Sequence, residues 1–196
     1  MRRRLSASRP LGFAGLALAG TAIGLTAATA ATSVQAAGTT TKTTTTKTTT
    51  PAGHSILASR RLWATVDVCN PADQKDTIGV RGSMPGDGAT DETMFMRFRI
   101  QYRDAKTGDW LYISANADSG YVNVGSSSFR VREAGRSFVF RPVAGTPAYR
   151  LRGVVLFQWR RGTTVIRSAS RYTTGGHIAA AGADPKNYSA STCIIS

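Results

Sequence analysis

Hydrophobic and polar residues alternate with a period of two through most of the chain after residue 60. The clearest run places Met94, Met96, Phe98, Ile100 and Tyr102 at even positions, with Phe95, Arg97, Arg99, Gln101 and Arg103 between them. Successive side chains of an extended strand point to opposite faces, so this run predicts a strand with one buried and one solvent-facing side. Leu62, Ala64, Val66 and Val68 predict an earlier strand closed by Asn70-Pro71. Ile78, Val80 and Met84 predict a second, ended by the turn residues Pro85-Gly86-Asp87-Gly88. A tight connection at Lys106-Thr107-Gly108-Asp109 leads into a strand at Trp110-Leu111-Tyr112-Ile113, and Phe129-Arg130-Val131 and Phe138-Val139-Phe140 read as short strands. Tyr149, Leu151, Val155, Phe157 and Trp159 then mark a long inward face. The Arg161-Gly162 turn follows, and a partner strand runs from Thr163 to Tyr172.

Almost nothing in this span has helical period. Seven or eight short strands with frequent turn signals predict an all-β domain over residues 54–196, a single antiparallel β-sandwich with Greek-key connections. That length suffices for one hydrophobic core and is short for two. In strand count and spacing, residues 60–173 resemble the immunoglobulin and fibronectin type III superfolds. No family motif accompanies the resemblance, so it implies a fold and no function.

The pattern changes before residue 54. Arg2, Arg3, Arg4 and Arg9 precede an uncharged run from Leu11 to about Leu25, the arrangement of a signal peptide over residues 1–36. Val34-Gln35-Ala36 favours cleavage after Ala36, with Ala28-Thr29-Ala30 as a second candidate. The competing reading is an uncleaved anchor, which the Gly, Ala and Thr content opposes, so no stable membrane span is expected after cleavage. Arg2-Arg3 followed by Leu5 leaves a twin-arginine signal open, and no nearby cysteine marks a lipoprotein. Residues 37–53 include the tract Thr39–Pro51, with lysines at 42 and 47. Such a stretch has no apolar surface to offset its ordering entropy and is expected to be a disordered tether, a substrate type for O-glycosylation. Export signal, tether and domain point to a secreted or cell-envelope protein; the Ala, Gly, Thr and Arg bias suggests a bacterial source.

The formal net charge is +14. Without the four signal arginines and two tether lysines, 19 basic residues face 11 acidic ones, and 16 of the 19 are arginine. Such a surplus favours contact with polyanions such as anionic wall polymers, acidic lipid head groups or nucleic acid. The chain has two cysteines, Cys69 and Cys193, near opposite ends of the domain. In an exported protein this pair predicts a disulfide clasping the first strand to the C-terminal segment.

Catalytic motifs are missing. The two histidines are His54 and His177, and no Gly-x-Ser-x-Gly elbow occurs. Asp87, Asp91 and Glu92 share one loop, which suits neither opposed glycosidase carboxylates nor EF-hand spacing and reads as a solvated turn. Gly175-Gly176 lacks the phosphate-loop lysine, and Asn187-Tyr188-Ser189 matches a glycosylation sequon relevant only in a eukaryotic secretory pathway. No catalytic residue, metal site or cofactor is therefore expected.

Arginine is the constellation with physical content. If the Met/Phe/Ile side of the 94–102 run is buried, Arg97, Arg99 and Arg103 point outward together, and Arg150, Arg152 and Arg160 do the same on the long strand. In an immunoglobulin-like order these strands are neighbours and the last strand, with Arg167 and Arg171, flanks them. One sheet would then present an arginine field able to grip phosphate or carboxylate. The expected function is a noncatalytic binding or structural module whose partner is an anionic cell-wall polymer or an envelope protein. An envelope-processing hydrolase using His177 or the acid cluster is the first alternative. A nucleic-acid binder is the second, disfavoured by the export signal and by a lack of aromatic residues interleaved with the arginines.

Overall fold

The computed structural model describes residues 55–196. The expected signal segment, the tether and His54 lie outside the described residues. After a 3-10 turn at Ile56–Ala58 come nine strands: β1 (Trp63–Cys69), β2 (Thr77–Pro85), β3 (Thr93–Arg103), β4 (Trp110–Tyr112), β5 (Asp118–Ser126), β6 (Val131–Val139), β7 (Tyr149–Arg161), β8 (Thr164–Tyr172) and β9 (Cys193–Ile195). They form two antiparallel sheets. One has the order β1-β2-β6; the other runs β4-β3-β7-β8, with β5 also paired to β3 and β9 to β7.

The alternation in β3 holds from Met94 to Ile100 and breaks at Gln101, which is buried. Met94, Met96, Phe98 and Ile100 are buried, while Phe95, Arg97 and Arg99 lie half-buried on the opposite face. Its neighbour β7 pairs with it continuously from Thr93 opposite Arg160 to Tyr102 opposite Leu151, which fixes which arginines stand together. The inner faces of the two sheets meet in one core, where Phe98, Phe157 and Trp159 pack with Val66, Ile78, Val80 and Met84. The sheets approach so closely at Gly153 that an added Cβ would stand 2.6 Å from the Val80 methyls. The Trp159 indole N–H donates to the Pro85 carbonyl at 3.0 Å, so the largest core side chain is also satisfied across the sheets.

Three elements differ from the sequence expectation. The segments Phe129–Val131 and Phe138–Phe140 overlap the two ends of one strand, β6, which pairs with β2 without a register shift from Val131 to Val139. Its middle, Arg132 to Ser137, hides the period because Arg132 and Arg136 occupy inward positions at the margin of the core, opposite Met84 and Val80. Strand β5 was absent from the expectation. It lies on the edge of β3 and none of its residues is buried, so no apolar alternation marks it. β9 was absent because its three residues are too few to show a period.

Cys69 and Cys193 are bonded, with a Cα–Cα distance of 5.4 Å. Cys69 ends β1 in one sheet and Cys193 opens β9 in the other, so the bond is an inter-sheet bridge as well as the expected terminal clasp. Beside it the C-terminal segment follows the edge of β1, with bridges at Val66–Ala190 and Val68–Asp184. Among the described residues no helix is long and apolar enough to cross a membrane.

Candidate anion-binding face

The outer face of the larger sheet is built by β3 and β7, with β4 and β5 on one side and β8 on the other. Arg152 stands opposite Gln101 in the β3–β7 register and donates its Nε–H to the Gln101 amide oxygen at 2.8 Å. Its guanidinium lies between two rings, 4.3 Å from the Trp110 centroid and 4.0 Å from that of Tyr172. Aromatic faces attract a cation at such distances and strip part of its hydration. Burial among these groups lowers the Arg152 pKa, but a guanidinium remains charged in proteins.

Arg160 repeats the arrangement near the other end of β7. Its guanidinium is 4.2 Å from the Phe95 ring and 4.7 Å from Tyr121, and its Nε–H donates to the Gln158 amide oxygen at 2.9 Å. Arg97 and Arg99 occupy the middle of the face and are held differently. Arg97 binds Asp118 through two nitrogens, with Nε 2.8 Å from Oδ1, and Arg99 Nε lies 3.3 Å from Oδ2 of the same carboxylate. Arg99 also sits 3.7 Å above the Tyr112 ring. The Arg97 hydrogen bond is the main reason that Asp118 is held below the ordinary carboxylate range. Arg103 and Arg150 are exposed beside Arg152, at the end of the face where β3 pairs with β4 and β7 with β9. Among the described residues, no carboxylate forms an ion pair with Arg103, Arg150, Arg152 or Arg160.

All six arginines expected on this face are therefore on it, but two neighbours are not. Arg167 pairs with Trp159 and Arg171 with Val155, both inward positions, so these β8 arginines turn toward the core side of the sheet. Arg171 donates to the Leu57 carbonyl at 2.7 Å, and Arg167 binds both Asp87 and Glu92. The expectation that aromatics would not interleave with the arginines is also overturned. Trp110, Tyr112, Tyr121 and Tyr172 arrive from β4, β5 and β8, and their placement depends on strand pairing that the local sequence does not encode. Phe95 was the one ring visible in the alternation itself.

The remaining candidate chemistry sorts differently. The Asp87–Glu92 loop is a solvated turn over most of its length, with Asp87, Gly88, Thr90 and Asp91 exposed, but Glu92 at its end is 4% exposed and is bound by Arg167 and by Arg161 at 3.3 Å, while Asp91 meets Arg161 at 2.7 Å. These acids anchor the β7–β8 hairpin. Among the described residues no cluster of three His, Cys, Asp or Glu side chains is arranged to hold a metal. His177 does line a cleft of about 290 Å³ with Trp63 and Glu133, stacked on the Trp63 ring at 4.3 Å. Its Nε2 is 3.1 Å from the Thr174 hydroxyl, and burial holds its pKa below the ordinary value. No carboxylate hydrogen-bonds its other ring nitrogen among the described residues, so the orienting third member of a nucleophile–His–acid set is not in place.

No protein-family model, curated protein or solved structure matches the chain.

Proposed function

We propose that this protein is a noncatalytic module, secreted or held at the cell envelope, that binds an anionic polymer on the arginine face of its larger sheet. The observation that carries this reading is the state of Arg152 and Arg160, which are ordered by rings and amides and not neutralised by acids. A long cationic side chain loses rotamer freedom when it grips a ligand, and prior ordering removes much of that cost. The disulfide fits an oxidising compartment, in keeping with the export signal read from the N-terminal residues. The strand orders support an immunoglobulin-like reading of the fold: β1, β2 and β6 would stand as A, B and E, and β4, β3, β7 and β8 as C′, C, F and G.

A second reading, binding of single-stranded nucleic acid, is favoured by the same interleaved rings, since bases stack on aromatic and guanidinium planes. Titration of the full chain with polygalacturonate and with a mixed-sequence single-stranded oligonucleotide separates the two. The anionic glycan should bind at low salt and weaken steeply as salt is added. The double variant R152Q/R160Q should lose most of that binding while keeping its circular dichroism spectrum. Equal binding by variant and wild type would make the face a solvated surface, and preference for the oligonucleotide would transfer the reading to nucleic acid.

A further inference from the structure

The two acid-free stacks are alike in construction and far apart. Each consists of a β7 arginine, a glutamine accepting from its Nε, and two aromatic rings around the guanidinium. Eight residues of extended strand separate Arg152 from Arg160, roughly 26 Å at ~3.3 Å per residue. Between them β7 presents Val154 and Leu156, and β3 presents Arg97 and Arg99, which share the single carboxylate of Asp118. The face is therefore cationic along its length, uncompensated at its ends and half-compensated at its centre.

We infer that the face holds two separate anion subsites, one at Arg152 and one at Arg160, and that it selects linear polyanions long enough to occupy both at once. This rests on the reading of the face as a polymer-binding surface and adds which polymers it takes. A glutamine is the side chain suited to such a subsite, because its amide oxygen orients the guanidinium without cancelling its charge. A carboxylate in the same place would hold the arginine more firmly and remove its charge from the ligand's view, as Asp118 does at the centre. Two subsites joined by one ligand make the second contact intramolecular, and affinity then rises sharply once the ligand spans the gap.

Graded inorganic polyphosphates and graded oligogalacturonates, titrated into the full chain by calorimetry at low salt, test this. Chains too short to reach both stacks should bind weakly, and those that span them should bind about 100-fold tighter, with little further gain beyond. R152Q and R160Q should each return long chains to short-chain affinity. Q101E and Q158E should do the same with every arginine still present, an effect that loss of packing would not produce. A step with both polymers assigns selection to charge spacing; a step with the glycan alone assigns sugar–ring contact a share of it. Affinity rising smoothly with length, or a step that survives both single arginine substitutions, would overturn the two-subsite inference while leaving the face a polyanion binder. No binding of either polymer at any length would remove the underlying reading as well.

Discussion

Asp118 is the acid that decides how much of the arginine field is available. Its carboxylate satisfies Arg97 and Arg99 and also accepts the Gly120 amide N–H at 3.0 Å. D118N keeps an oxygen for Gly120 and releases both arginines, so polyanion affinity should rise while stability falls by about 1 kcal/mol or less, as for partly exposed ion pairs. The pH dependence follows from the lowered folded pKa of Asp118, whose main cause is the Arg97 hydrogen bond. Protonation is opposed in the folded protein, so the stabilisation is fully present above the ordinary value of 3.8 and is lost as pH falls through the lower folded value. Denaturation of wild type and D118N should therefore show a constant difference from neutral pH down to about pH 4, narrowing at more acidic pH. A gap that widens in acid would contradict the assignment.

Among the elements, β7 and β8 depend on an ion network at their shared turn. Glu92, buried just before β3, binds Arg161 and Arg167 from either side of that turn. E92Q leaves Arg161 with Asp91 alone and Arg167 with Asp87 alone, and should cost about 2–3 kcal/mol in urea denaturation, the scale of charge-assisted hydrogen bonds. Polyanion binding should be retained, since these arginines lie off the outer face. Elements that bury one face were legible in the sequence: β3 has four buried apolar residues at strict spacing, and β7 carries its inward face through Trp159. β5 was not legible because an exposed edge strand places few demands on side chains, and β6 was split because its inward arginines at the core margin imitate a loop. The site divides along the same line. The arginines follow from period two within single strands, whereas the rings around them and the inward turn of Arg167 follow from cross-strand register and a bulge between Trp159 and Arg160.

At the scale of the whole molecule, one covalent bond spans the two sheets over a sequence separation of 124 residues. Closing a loop of that size should stabilise by about 4–5 kcal/mol in the chain-entropy picture, less any strain. The C69S/C193S double variant should lose stability on that scale in chemical denaturation, and reductant should bring wild type close to it. A loss under about 1 kcal/mol would mean that β9 and the segment along β1 hold the sheets together without the bond. The positive surplus is also unevenly used across the molecule. Arg81, Arg97, Arg99, Arg161 and Arg167 are matched by carboxylates and serve the fold, while Arg103, Arg150, Arg152 and Arg160, without an ion pair among the described residues, share the outer face of the larger sheet.

Neither an amide nor an aromatic hydrocarbon ring gains or loses a proton under the conditions in which proteins work, and the tyrosine hydroxyl does so only in strong alkali. With Gln101 and Gln158 as the orienting groups, the stacked arginines have, among the described residues, no carboxylate partner that acid could switch off. The binding proposed for this face would draw no pH dependence from these two stacks, and would tighten in dilute surroundings and slacken in brine.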